Sequence, residues 1–135
     1  MSSFIYGKHR EKLLTAAFNW LTSDIRMAFV TSGYVPNQDV DEFLSVIDPA
    51  HILIRSGSLT GKTATSGYAA GLTPEFLLYR NENPVAGIVL FLHTGVDATA
   101  RLLAYSNDGP ALPFVGLGFN YAVSYNAAQG GFYRA

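Results

Sequence analysis

Residues 84–105 read Pro-Val-Ala-Gly-Ile-Val-Leu-Phe-Leu-His-Thr-Gly-Val-Asp-Ala-Thr-Ala-Arg-Leu-Leu-Ala-Tyr. Two apolar runs, 85–92 and 102–105, flank a short turn-like segment at Thr94-Gly95-Val96-Asp97. The first run carries no charge and is too short to span a membrane as a helix. It reads as a central strand buried on both faces, with the second run as its hairpin partner. Such a hairpin needs apolar cover on two sides, and the rest of the chain must supply it.

The composition fits that demand. The chain has 135 residues, enough for a single domain, 1–135, with a real core. Hydrophobic residues make up 49%, which places it outside the disordered class. Charged residues make up only 14%, against roughly 25% in ordinary soluble domains. So few charges leave surface for other subunits to cover, and a homo-oligomer is expected. The net charge of −1, with no Lys/Arg cluster, argues against nucleic acid or an anionic membrane as partner. Cysteine is absent, which excludes disulfides, thiolate nucleophiles and Cys-ligated zinc. Its absence favours synthesis in the cytoplasm. The opening Met-Ser-Ser-Phe-Ile-Tyr-Gly-Lys-His-Arg lacks an apolar core, so no signal peptide is expected.

Along the chain, Leu13, Leu14, Ala17, Phe18 and Leu21 recur at helical spacing and predict a helix over 7–21, with Trp20 anchoring it to the sheet. Residues 25–30 predict a strand with Ile25, Met27 and Phe29 on one face. Asp39 is placed to cap a short helix over 40–47. Strands follow at 51–55 and 76–80, with turns at 81–84 and 107–110. Residues 117–125 alternate cleanly, predicting a strand with one apolar face, and residues 127–131 read as a turn. Between them, residues 56–71 are rich in Gly, Ser, Thr and Ala and predict an extended edge strand or an arm lying on a neighbour. Strands mostly follow strands. The expected fold is mainly β: an antiparallel β-sandwich or jelly-roll-like barrel with an N-terminal α-helix.

Reactive chemistry is sparse. Gly57-Ser58-Leu59-Thr60-Gly61-Lys62-Thr63 resembles a phosphate-binding loop, but Ser56 stands where the first glycine belongs and no helix-forming sequence follows. His9, His51 and His93 are isolated, with no ligand spacing, and read as surface or sheet-edge residues. Asp39, Asp41, Glu42 and Asp48 read as capping groups rather than a calcium loop. No catalytic, cofactor-binding or metal-binding residues are assigned, and the chain is not expected to be an enzyme. Tyr34, Tyr68 and Trp20 are the stacking candidates if the chain binds a glycan, and His51 and His93 the candidates for a composite active site.

Several segments taken in order resemble a known family. They are Tyr6-Gly7-Lys8 with Glu11 and Trp20-Leu21, then Asp24-Ile25-Arg26-Met27-Ala28, and Asp41-Glu42-Phe43-Leu44 with Ile47. Residues 56–63, His93-Thr94-Gly95, Arg101-Leu102-Leu103-Ala104-Tyr105 and Leu112-Pro113 complete the set. Together they resemble small virion structural proteins of tailed bacteriophages, of the head decoration (cement) type. The tracts Tyr68-Ala69-Ala70-Gly71 and Gly130-Gly131-Phe132-Tyr133 are more apolar than that pattern. The resemblance implies a non-enzymatic subunit without cofactor, located in the virion and assembled in the host cytoplasm. It would bind the major capsid protein or another virion protein. A tail, neck or baseplate component, or a glycan- or receptor-binding module, is the alternative. The candidate partner-contact residues are Leu59, Lys62, Tyr68, Phe132 and Tyr133.

Overall fold

The computed structural model describes residues 3–66, 68–72, 75–107, 112–121, 123 and 132–134. The expected turns at 107–110 and 127–131, apart from Asn107, and the end of the strand at 124–125 lie outside them. The strands are β1 (Ser3–Ile5), β2 (Ile25–Val30), β3 (Ile52–Arg55), β4 (Thr60–Thr65), β5 (Tyr68–Leu72), β6 (Phe76–Val85), β7 (Gly87–Leu92), β8 (Leu102–Ser106), β9 (Phe114–Tyr121) and β10 (Tyr133–Arg134). One helix, α1 (Gly7–Leu14), follows β1. Three antiparallel sheets form, in the orders β1-β8-β7-β2-β3, β10-β5-β4 and β6-β9. The fold is mainly β and sandwich-like; among the described residues the sheets do not close into a barrel.

The expected hairpin is the middle of the five-stranded sheet. β7 pairs with β2 from Ile25↔Leu92 to Val30↔Gly87 and with β8 on its other side. Alternation along the strands feeds two separate cores. Ile25, Met27, Phe29 and Leu90 enter one, while Ala28, Val30, Val89 and Phe91 enter the other. Both faces are therefore buried, which is why the run shows no polar alternation. Its first residue belongs elsewhere: Val85 ends β6, and Ala86 turns the corner with its amide on Val30 O at 2.9 Å. Beside that corner the Tyr105 ring lies over Gly87, where a Cβ would come within 2.6 Å of the hydroxyl.

The two faces are covered differently. The β6/β9 ribbon and the three-stranded sheet close the first. There Phe29 stacks on Phe76 at 4.0 Å and meets the edges of Phe114 and Tyr79 at 5.5 and 5.6 Å. The second face is closed by Tyr6 and by loop residues Tyr34, Leu44, Ile47 and Ala100.

Three expected elements differ. The helix stops at Leu14, not Leu21. Ala16 takes a left-handed φ of 56°, its amide bonds Leu13 O, and the Ala17 amide reaches back to Lys12 O. This is the paired 5→2 and 6→1 bonding that ends helices, with alanine in the place glycine usually holds. Leu14 and Leu21 consequently stay exposed, and Trp20 docks instead on β5, its Nε1 donating to Ala70 O at 3.0 Å. The helix expected at 40–47 is replaced by 3-10 turns at Leu44–Val46 and Pro49–His51. Non-local backbone bonds displace it: Leu44 N to Ala100 O at 2.7 Å and Leu102 N to Glu42 O at 2.9 Å. The turn expected at 81–84 is instead an irregular stretch of β6, where residues 82–84 face the single residue Val115.

Candidate interaction surfaces

Several of the residues that carry the resemblance touch one another. The Tyr6 amide donates to Leu103 O at 3.0 Å, and Phe43 bridges to Arg101. Arg101 pairs with Glu42 at 3.1 Å and lies over the Phe43 ring at 5.3 Å. The His93 amide donates to Asp24 O, the Ser58 hydroxyl donates to the Asp24 carboxylate at 2.6 Å, and the Leu59 amide donates to Ile25 O at 2.8 Å. These segments brace the ends of the central sheet.

The candidate polar groups are held apart in the same way. His93 sits beside Asp24, before β2, and His51 contacts Thr31, after β2, with Nδ1 3.0 Å from Oγ1. The length of β2 separates them by about 20 Å at strand rise. His9 was expected at the surface or a sheet edge; it is fully buried, edge-on to Phe18 at 4.6 Å. Burial and the positive charge of Arg101 lower its pKa to about 4. Asp39 caps no helix, whereas Asp48 accepts from the Ala50 amide at 2.9 Å and Asp41 accepts from the Tyr34 hydroxyl. Arg55 grips Asp97 through two bonds of 2.7 and 2.8 Å and holds that carboxyl below its ordinary pKa. Among the described residues no three His, Asp or Glu side chains are grouped to hold a metal ion. Thr60–Thr65 is a strand, so the glycine-rich stretch opens no helix for a phosphate.

The segment 56–71 forms most of a β4–β5 hairpin, and β4 is an edge strand of its sheet. Most of its residues are exposed. Of the candidate contact residues, Leu59 is only 4% exposed and belongs to the core. Lys62 is half-buried and donates to Ser23 O. Tyr68 is half-buried opposite Arg134, and Phe132 is half-buried and faces Trp20 with ring centroids 6.4 Å apart. Tyr133 pairs with Ala69 in β10–β5. The structure thus gathers Tyr68, Phe132 and Tyr133 on one small sheet and withdraws Leu59 inside. Trp20 and Tyr34 are buried, so neither offers a free ring face to a sugar.

A second surface was not anticipated. The alternation in β9 predicts one apolar face, and the structure turns much of that face outward. Leu117 and Phe119 are 63% and 65% exposed, and Val115 is exposed beside them. Across the ribbon Leu77 and Leu78 are exposed as well. An open groove of about 420 Å³ runs along this ribbon, lined by Arg80, Asn81, Glu82, Val115, Gly116 and Leu117. Strand alternation shows that a face is apolar but not whether a core or a partner covers it, so the sequence left both open.

Comparison with protein-family models, with curated proteins and with solved structures finds no match.

Proposed function

We propose that this chain is a non-enzymatic structural subunit of a tailed-phage virion, and specifically a head decoration protein that stabilises the shell by binding across capsid subunits. The observation that carries this reading is the mutual bracing of the resemblance residues. A family defined by a reaction is recognised through side chains that converge on a substrate. Here the residues of the resemblance hold the sheet instead: Tyr6 on β8, Phe43 and Glu42 on Arg101, Asp24 on His93 and Ser58. What such a frame presents outward is area, in the exposed β4 edge and the apolar ribbon. Many equivalent copies on a lattice multiply modest contacts.

The test uses purified full-length chain and capsid shells assembled without it. The chain is expected to co-sediment with the shells and raise their disruption temperature. If it neither sediments with shells nor shifts that temperature, the head assignment fails. Binding to isolated tails would move it to the tail.

A further inference from the structure

We propose that the outer face of the β6/β9 ribbon is a self-association surface, on which a second copy of this chain packs face to face about a two-fold axis. The inference stands apart from the virion reading, since it rests on the ribbon alone.

Its first support is the backbone. Phe76↔Tyr121 and Tyr79↔Phe119 are successive pairs, so Leu77 and Leu78 together oppose the single residue Asn120. Leu78 adopts a left-handed φ of 50°, and its amide is held by Asn120 Oδ1 at 2.9 Å. A bulky residue resists that conformation. In a regular strand the two leucines would point to opposite faces. The bulge leaves both exposed beside Phe119, so backbone strain is maintained while large apolar groups stay in water. Such strain is characteristic of functional surfaces.

Its second support is charge. Arg80 and Glu82 are exposed, two residues apart in β6, and flank Asn81, which pairs with Gly116. Among the described residues neither has an ion-pair partner. A two-fold axis lying in the interface, across the strands level with Asn81, sets Arg80 of each copy over Glu82 of the other. The same operation lays Leu117, which pairs with Arg80, toward Val115 of the second copy. The Arg80/Glu82 and Leu117/Val115 positions are thus complementary to themselves about this axis, as the centre of a two-fold interface requires.

Area gives the third support. At roughly 100 Å² of exposed apolar surface each, Leu77, Leu78, Leu117 and Phe119 with Val115 offer about 400–500 Å² per copy. That is the size of the largest apolar patch on an ordinary monomer, a patch that often serves as a binding surface. With Arg80, Glu82 and the groove walls it approaches the roughly 800 Å² per partner of a standard interface.

Sedimentation equilibrium of the full chain over a wide concentration range tests the proposal. The wild type is expected to dimerise or assemble further. The double variant Leu117→Glu/Phe119→Glu is expected to be monomeric with an unchanged circular dichroism spectrum, because both side chains are exposed. Arg80→Glu or Glu82→Arg alone is expected to weaken association about tenfold, and the double swap Arg80→Glu/Glu82→Arg to restore it. A wild type that remains monomeric throughout overturns the proposal. So does a double swap that adds the two single losses. If the Leu117→Glu/Phe119→Glu variant loses shell binding while the wild type is itself a monomer, the ribbon faces a different partner, and the self-association proposal is wrong.

Discussion

Tyr34 is the middle of a buried chain of hydroxyls: Tyr6 lies 2.6 Å from it, and it donates to the Asp41 carboxylate at 2.9 Å. Burial raises the pKa of both phenols well above the ordinary value, so they stay protonated and available as donors. Tyr34→Phe removes the acceptor for Tyr6 and a donor for Asp41 at once. The expected loss is about 1–3 kcal/mol, because buried groups are left without partners. Tyr6→Phe should lose less, since Tyr34 keeps Asp41. Urea denaturation reads both as a lower midpoint at unchanged slope. His9 makes a different prediction. Its folded pKa of about 4 lies below the ordinary 6.5, so between these values the unfolded chain binds the extra proton. Its stabilising contribution is complete above about pH 6.5 and is lost as pH falls towards 4. Up to about 3 kcal/mol of stability should disappear across that window. His9→Phe, which keeps a ring against Phe18, should flatten this part of the stability profile. An unchanged slope in that variant would exclude His9 as its source.

At the scale of elements, Phe29 is the joint between the central sheet and the ribbon, touching Phe76, Tyr79 and Phe114 together. Phe29→Ala is expected to cost about 3–5 kcal/mol, the usual loss for a buried ring. Near-UV circular dichroism should fall with it, since the cluster that orders those rings loses its centre. How far the elements were legible follows from where their bonds go. β2 was read with its observed bounds, and the β7–β8 hairpin in outline, because apolar runs with local turns carry their own evidence. The end of α1 was not legible: an alanine, Ala16, adopts the conformation that a glycine would have advertised. Leu44 and Glu42 were drawn from a helix by Ala100 and Leu102, over fifty residues away, which no local pattern encodes. The polar edge of the 56–71 segment was legible from its small residues. The outward face of β9 was not, because alternation is the same for a strand facing a core and one facing a partner.

For the whole molecule the scarcity of charge sets the character of any association. With 14% charged residues and a net charge of −1, the chain has no field to draw a partner from a distance. Several of its charges are already consumed internally, as in Arg55–Asp97, Arg101–Glu42 and Arg26–Asp24. Attachment to a shell, if the proposed function holds, must therefore draw on apolar area and strand-edge hydrogen bonds. Apolar burial has a large negative heat-capacity change and little sensitivity to screening. Shell binding is accordingly expected to change by less than about threefold between low salt and several times physiological ionic strength, where a binding mode built on exposed charges would collapse. Titration calorimetry at several temperatures should show a negative heat-capacity change. A steep loss of affinity with salt, or a heat-capacity change near zero, would point instead to recognition by charges such as Arg10 and Lys12 of α1, and would move the contact surface from the sheets to the helix.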